Sequence, residues 1–127
     1  DIKKMDELKN VSFLQCDFLK KSTKEKILNF FGEELDVVLS DMAADTTGNK
    51  SLDCIRTNKL CADVVEFSSK ILKPNGILVS KLFMGDDFLE VKELAKSKFK
   101  KVDFFKPEAS RSESKETYIH CAILKTL

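Results

Sequence analysis

The chain has few glycines, and they form no phosphate-binding loop. Gly32, Gly48, Gly76 and Gly85 stand far apart, so there is neither a G-x-G-x-x-G turn nor a Walker loop. A nucleotide-type site in this chain must therefore lack its usual glycine turn. No apolar run approaches the ~18 residues that span a membrane, and the first residues do not form a signal peptide. A starting Met is also absent, which we interpret as a processed or truncated chain.

Cysteine and histidine are too scattered for a metal centre. The four cysteines form no C-x-x-C pair, and the one histidine is His120, so we expect no metal site. The cysteines lie within or beside predicted strands and helices, as small apolar residues do in a reducing compartment. We therefore predict a cytoplasmic protein with no membrane partner.

Length and composition are typical of one globular domain. The chain has 127 residues, of which 43% are hydrophobic and 34% charged, and a domain of this size buries roughly two-thirds of its unfolded surface. It contains no internal repeat, so we expect residues 1–127 to form a single domain. Residues 96–127 carry eight basic and four acidic groups. Such a basic quarter suits either a phosphate backbone or a solvated Lys-rich surface.

Apolar periodicity and turn residues predict a mostly parallel α/β sheet whose last strand is antiparallel. The predicted helices cover residues 21–31, 55–72 and 87–99. The predicted strands cover residues 11–15, 35–40, 77–83, 102–105 and 118–124. We place Ser22 or Thr23 near the cap of the first helix. Phenylalanines of the last part of the chain are expected in the core rather than in a base-stacking platform: Phe83, Phe88, Phe99, Phe104 and Phe105.

Polar residues at strand edges are the candidate site. Asp41 follows one apolar strand, Lys81 interrupts the end of another, and Glu116 precedes the last. In open α/β sheets ligands bind outside the carboxyl ends of the parallel strands, so these residues indicate proton transfer or cation binding. Structural roles remain open for each: a cap or loop acid for Asp41, an ion-paired lysine for Lys81 and a solvated acid for Glu116. Asp17 follows a predicted strand and is either a ligand acceptor or a loop acid.

Two classes of protein place an Asp and a Lys at such strand ends. The first is the phosphoacceptor receiver domain, whose phosphorylation strand is superficially similar to residues 36–42. A receiver, however, has a further strand between that Asp and its Lys, and it has paired acids on its first strand. This chain has neither.

The second class is indicated by ordered motifs that span nearly the whole chain. The motifs are Phe13-Leu14-Gln15-Cys16-Asp17-Phe18, Ser40-Asp41-Met42-Ala43, Ile71-Leu72-Lys73-Pro74-Asn75-Gly76, Lys81-Leu82-Phe83-Met84-Gly85, Lys106-Pro107-Glu108-Ala109-Ser110-Arg111 and Glu116-Thr117-Tyr118-Ile119. In this order and spacing they resemble the FtsJ/RrmJ family of S-adenosylmethionine-dependent ribosomal RNA 2′-O-ribose methyltransferases. The resemblance implies a Rossmann-like methyltransferase sheet and a ribose, expected to be that of a uridine, in large-subunit ribosomal RNA as the substrate.

The resemblance also implies roles for individual residues. The family uses a Lys-Asp-Lys-Glu tetrad, and Asp41, Lys81 and Glu116 match its last three members. Lys81 would be the general base or the group that orients the 2′-hydroxyl, and a base role needs a pKa lowered by burial.

Cofactor and RNA contacts complete the implied site. Asp1 and Asp17 match the acids that bind the cofactor ribose and adenine, and Asp41 would also lie near the methyl donor. Charge alone suggests that Lys106, Arg111 and Lys115 contact RNA phosphates.

This sequence departs from the family in several places. The glycine-rich cofactor loop and the first tetrad Lys would precede Asp1, and Ala44-Asp45 replaces the usual Pro-Asn. The family sheet has the order 3-2-1-4-5-7-6, and its first two strands would be missing here. We therefore expect a truncated methyltransferase domain with open strand edges.

Several expectations follow for this truncated domain. Alone, it should bind the cofactor and turn over poorly, so detectable methyl transfer by the purified chain would contradict this. Residues 1–31 should be loosely held, repacked, or exchanged between chains so that a second chain completes the sheet. A non-enzymatic RNA-binding or partner module is the alternative function, and the receiver is a weaker one.

Overall fold

The computed structural model describes residues 1–85, 87–108 and 115–125. Contacts between Cα atoms divide the chain into two compact units, Asp1–Glu33 and Glu34–Leu127, and each is described by itself. The expectation of a single domain stays a prediction. No helix among the described residues is long and apolar enough to cross a membrane.

The first unit is built around one helix, α1, which spans Lys21–Phe31 as predicted. Lys20 is the N-cap residue, so Ser22 and Thr23 lie inside the first turn rather than at the cap. Gly32 ends the helix in the left-handed conformation, with φ 63°, and its N–H donates to the Leu28 carbonyl. Glycine adopts this conformation without the steric cost that a Cβ would add.

The strand predicted at residues 11–15 is wrong. Within the described residues, this stretch has no regular secondary structure. The Cys16 N–H donates to the Asp1 carbonyl at 2.9 Å, and the Asp1 amino group donates to the Leu14 carbonyl at 3.1 Å. A β-strand is stable only when it is hydrogen-bonded to neighbouring strands in a sheet. The pairing of this apolar run with the start of the chain is short, so the run stays irregular.

The second unit contains a mixed sheet with two helices between its strands. Its elements are β1 (Leu35–Ser40), α2 (Lys50–Ile71), β2 (Leu72–Phe83), α3 (Phe88–Lys98), β3 (Phe99–Phe105) and β4 (Glu116–Leu124). The described strands form a four-stranded sheet of order β1-β2-β4-β3. Strands β1 and β2 are parallel, whereas β4 is antiparallel to both of its neighbours. The predicted α/β class with an antiparallel last strand is confirmed.

Four elements begin earlier than predicted, namely α2, β2, β3 and β4. Helix α2 starts at Lys50 because the Asn49 side chain accepts the Leu52 N–H at 3.1 Å and caps the first turn. Strand β2 starts at Leu72, and its pairing with β1 is irregular next to Leu35. Pro74 lies within that irregular stretch, where a proline is tolerated because no ladder N–H is needed.

Alternation along β2 determines which side chains face the helices. Leu78, Ser80 and Leu82 are buried, whereas Lys81 is only partly buried. Successive side chains of a strand point to opposite faces, so Lys81 lies on the face opposite these buried residues. The core formed by the sheet and α2 therefore supports the strand without enclosing its functional side chain.

One of the five phenylalanines expected in the core lies on the surface. Phe99 is 1% exposed, whereas Phe105 is 44% exposed. Phe83, Phe88 and Phe104 are partly buried. The core prediction is wrong for Phe105 because this residue pairs with Tyr118 on the Lys81 face of the sheet, whereas Phe104, on the other face, contacts Phe88 of α3.

Candidate active site

The register of the sheet brings the three predicted strand-end residues together. Ser40 of β1 pairs with Ser80 of β2, so the next residues, Asp41 and Lys81, lie beside each other. In the antiparallel ladder, Lys81 pairs with Tyr118 of β4, and Glu116 lies two residues before it. Residues two apart on a strand share a face, which places Glu116 on the same side as Lys81.

Lys81 lies between the two carboxylates. Its Nζ is 3.1 Å from Oδ1 of Asp41 and 3.3 Å from Oε1 of Glu116. The Lys81 side chain is 14% exposed, against 72% for Asp41 and 31% for Glu116. The ammonium is thus partly shielded from solvent, and both of its counter-charges are more exposed than it is.

The charge state of Lys81 differs from that expected of a neutral base. Burial lowers its pKa, but the hydrogen bonds and charges of Asp41 and Glu116 raise it more, so the net change is upward. The lowered pKa that a base role would need is therefore not found, and Lys81 has the ion-paired position that the sequence left open. Lys81 is therefore an ammonium at neutral pH, which suits a group that binds and orients an oxygen.

Tyr118 is a site residue that sequence reasoning missed. Its hydroxyl donates a 2.7 Å hydrogen bond to Oδ1 of Asp41. This bond is the largest cause of the lowered pKa of Asp41, ahead of the contribution of Lys81. It also raises the pKa of Tyr118 to about 12. The spacing Glu116-x-Tyr118 at the start of a strand was a usable signal, because it places both side chains on one face.

A buried amide anchors the end of β2 near Lys81. Asn58 of α2 is fully buried. Its Nδ2 donates to the Phe83 carbonyl at 2.9 Å and to Oδ1 of Asp87 at 2.8 Å, and its Oδ1 accepts the Phe83 N–H at 2.7 Å. These bonds attach the backbone of Phe83, two residues after Lys81, to α2, the helix that connects β1 to β2.

The loop between Asp41 and α2 is also held. Thr57 of α2 is buried, and its hydroxyl oxygen accepts the Ala44 N–H at 3.1 Å. Asp53 accepts both the Thr47 N–H at 2.9 Å and the Thr47 hydroxyl at 2.7 Å. The segment after Asp41 is therefore ordered by the first turns of the crossover helix.

The predicted cofactor acids of the first unit make local hydrogen bonds. Oδ1 of Asp1 accepts the Lys3 N–H at 3.0 Å, and Oδ1 of Asp17 accepts the Leu19 N–H at 3.0 Å. The hydrogen bond of Asp17 is that of a loop acid, which is one of the two roles that the sequence left open for this residue. Since an ionised carboxylate has about four acceptor positions, both acids keep capacity for ligand hydroxyls or amines.

Two of the predicted RNA contacts lie at the ends of the β3–β4 pair. Lys106 follows Phe105 at the end of β3, and Lys115 directly precedes Glu116 at the start of β4. Both are exposed, and the Lys115 carbonyl accepts the Met84 N–H at 2.9 Å. Arg111 lies outside the described residues. Among the described residues, no group of three or more His, Cys, Asp or Glu side chains could hold a metal ion.

Comparison with known proteins identifies the same fold and family. A family model described as FtsJ-like methyltransferase matches residues 1–124. Two curated relatives, from Pelagibacter ubique and Rickettsia akari, are both named Ribosomal RNA large subunit methyltransferase E. The first is 44% identical over 125 residues and 98% of this chain, and the second is 43% identical over 119 residues and 94% of it.

The chain covers only part of these relatives: 62% of the length of the Pelagibacter protein and 52% of the Rickettsia protein. A crystal structure of a ribosomal RNA methyltransferase from Plasmodium falciparum matches with a TM-score of 0.82 and 25% identity. That match covers 97% of this chain and 69% of the Plasmodium chain. The resemblance inferred from the ordered motifs is confirmed.

Proposed function

The chain belongs to the FtsJ-like methyltransferase family, and we propose on that premise that it carries most of the active site of an enzyme that methylates a ribose 2′-hydroxyl in large-subunit ribosomal RNA. The observation that carries the proposal is the position of Lys81, held at 3.1 and 3.3 Å from two carboxylates, one after the end of β1 and one at the start of β4, the two strands that flank β2. The names of the two curated relatives support the substrate class. Uridine is the proposed nucleoside.

The residues present suit a cationic methyl donor, which we propose is S-adenosylmethionine. Asp41 is largely exposed, and the lowered pKa of its carboxyl keeps it anionic, so it can lie against a sulfonium ion. Asp17 and Asp1 would hold the adenine and ribose of the cofactor. When bound, S-adenosylmethionine supplies an electrophilic methyl group.

Lys81 is proposed to act as a cation that positions the ribose. Its Nζ donates a hydrogen bond to the 2′-oxygen and stabilises the negative charge that develops there. The hydroxyl proton passes to a carboxylate oxygen of Glu116, which lies next to Nζ, while Asp41 stays anionic. Lys106, Lys115 and Arg111 are proposed to bind RNA phosphates through charge.

Replacing Lys81 by Ala in the protein of native length tests the proposal. Incorporation of labelled methyl groups from S-adenosylmethionine into large-subunit ribosomal RNA should fall by at least about 100-fold, as for other electrostatic groups that act on the transition state. RNA binding, measured by filter retention, should change little. Lys73→Ala is the matched control, because Lys73 lies on the same strand and pairs with Asp36 at 2.9 Å.

Two outcomes would overturn the proposal. Full methyl transfer by Lys81→Ala would remove Lys81 from the reaction. RNA binding by the wild-type protein without any methyl incorporation would instead support a non-enzymatic RNA-binding module.

A further inference from the structure

Phe105 lies in a row of side chains that leads away from the site across the sheet. Lys81 of β2 pairs with Tyr118 of β4, and Tyr118 pairs with Phe105 of β3. Directly paired residues have side chains on the same face. We propose that Phe105 is a stacking surface for a base of the bound RNA, in the nucleotide next to the one whose ribose lies at Lys81. The inference rests on the proposed function.

The exposure of Phe105 is not explained by packing. Its side chain is 44% exposed, and its ring stacks on Tyr118 with centroids 5.7 Å apart and planes 22° apart. Phe99, at the other end of the same strand, is fully packed in the core. An exposed ring stacked on a residue of the site has one face towards the protein and area left for a ligand.

Hydrogen bonds hold the backbone of Phe105 and the side chain of Tyr118. The Thr117 hydroxyl donates to the Phe105 carbonyl at 2.8 Å, and Thr117 is buried. The Tyr118 hydroxyl is held by Asp41 at 2.7 Å. Since little conformational entropy remains to be lost, a base that stacks here binds more favourably than it would on a mobile side chain.

Charge identifies RNA as the occupant. Lys106 follows Phe105, Lys115 precedes Glu116, and both side chains are exposed. Positive charge beside an exposed aromatic ring is the combination that proteins use for single-stranded nucleic acid, since phosphates bind the cations and every base has a face that can stack. An apolar peptide would gain nothing from these lysines.

Spacing indicates which base is involved. Neighbouring strands lie about 4.8 Å apart, so Phe105 is roughly 10 Å from Lys81 across two strand spacings. When the target ribose lies at Lys81, the group over Phe105 therefore belongs to a flanking nucleotide and is its base, rather than a part of the target nucleotide.

The test compares Phe105→Ala with wild type on two RNA probes, using the protein of native length. The probes are a fluorescein-labelled oligoadenosine RNA and the same ribose-phosphate chain without bases. For oligoadenosine, Phe105→Ala should raise Kd by about 5-fold to 100-fold, the usual range for one aromatic–base stack. For the abasic chain Kd should not change, and the dependence of Kd on salt should be the same for both proteins.

Further variants separate stacking from folding. Phe105→Tyr should bind oligoadenosine like the wild type, because a ring is kept. Leu89→Ala, at an exposed apolar residue of α3, should also leave Kd unchanged. In methyl transfer, Phe105→Ala should raise KM more than it lowers kcat.

The outcomes distinguish this inference from the proposed function. Unchanged binding of oligoadenosine by Phe105→Ala, or an equal loss on the abasic chain, would overturn the stacking role even if the wild type methylates RNA. A loss confined to the base-containing probe, together with no methyl transfer by the wild type, would support the stacking surface and overturn the proposed function.

Discussion

Tyr118 and Lys81 meet at one oxygen of Asp41. The tyrosine hydroxyl is 2.7 Å and the lysine Nζ 3.1 Å from Oδ1. Two donors of different kinds thus hold one carboxylate oxygen, a neutral hydroxyl from β4 and an ammonium from β2. The arrangement keeps Asp41 ionised and fixes its direction, although most of its side chain is in solvent.

Replacing Tyr118 by Phe should loosen Asp41 without removing a charge. The pKa of Asp41 should rise, because the hydroxyl hydrogen bond is the largest cause of its lowering. Methyl transfer should fall by about threefold to tenfold, the equivalent of one hydrogen bond worth about 1 kcal/mol. NMR titration of the Asp41 carboxyl measures the first effect, and kcat as a function of pH measures the second. An Asp41 titration identical in both proteins would contradict this role.

The ion pair should stabilise the fold only within a window of pH. Asp41 has a pKa below its ordinary 3.8, so its contribution is complete above that value and is lost as pH falls through the folded-state pKa. Lys81 has a pKa above its ordinary 10.5, so its contribution is complete below that value and is lost as pH rises through the folded-state pKa. The difference in unfolding free energy between wild type and Asp41→Asn should therefore shrink in acid. Urea unfolding at a series of pH values measures it.

Salt provides the control for that experiment. Because Asp41 is largely exposed, added salt should reduce the same difference at neutral pH. A difference that stays constant from neutral pH into acid would show that Asp41 does not act through its charge.

Asn58 should affect both stability and activity. Asn58→Ala leaves the N–H and carbonyl of Phe83 without their partner, which should cost about 2 to 3 kcal/mol in unfolding free energy. It should also lower kcat, because the end of β2 that carries Lys81 loses its attachment to α2. Asn49→Ala is the matched control on the same helix. It removes an exposed cap, so it should cost about 1 kcal/mol and leave kcat unchanged.

The two buried cysteines should resist alkylation. Burial raises the pKa of Cys61 to about 11 and that of Cys121 to about 12, and the thiolate is the reactive form. Iodoacetamide at pH 8 should modify Cys16 and Cys54, which are only partly buried, while Cys61 and Cys121 stay intact by mass spectrometry. All four should react in urea. Early modification of Cys61 in the folded protein would show that its pocket opens.

Sequence patterns correctly predicted the helices and strands whose formation depends on residues within a single segment. The apolar spacing of residues 21–31 and the apolar run of residues 35–40 were sufficient, because a helix face and a buried strand are each visible within one segment. The strand predicted at residues 11–15 had the same kind of signal and is absent within the described residues. Its formation depends on a neighbouring strand, and a single segment contains no information about that.

The site shows the same limit. Asp41, Lys81 and Glu116 were predicted as site residues from their positions at strand edges, and the structure places them in contact. The sequence left both an ion-paired Lys81 and a base of lowered pKa open, because the direction of the pKa shift depends on the distances from Nζ to two acids far apart in sequence. Phe105 was assigned to the core because composition cannot show which face of the sheet an apolar residue lies on.

From the strand order β1-β2-β4-β3 we expect the site to form late in folding. Asp41 and Tyr118 are 77 residues apart in the chain, and β4 must insert between β2 and β3 before they can meet. Contacts of such long sequence separation carry the largest loop-closure cost and form slowly. A nascent chain that has not yet reached β4 therefore possesses Lys81 and Asp41 but neither Glu116 nor Tyr118, and assembly of the site requires the last strand of the sheet.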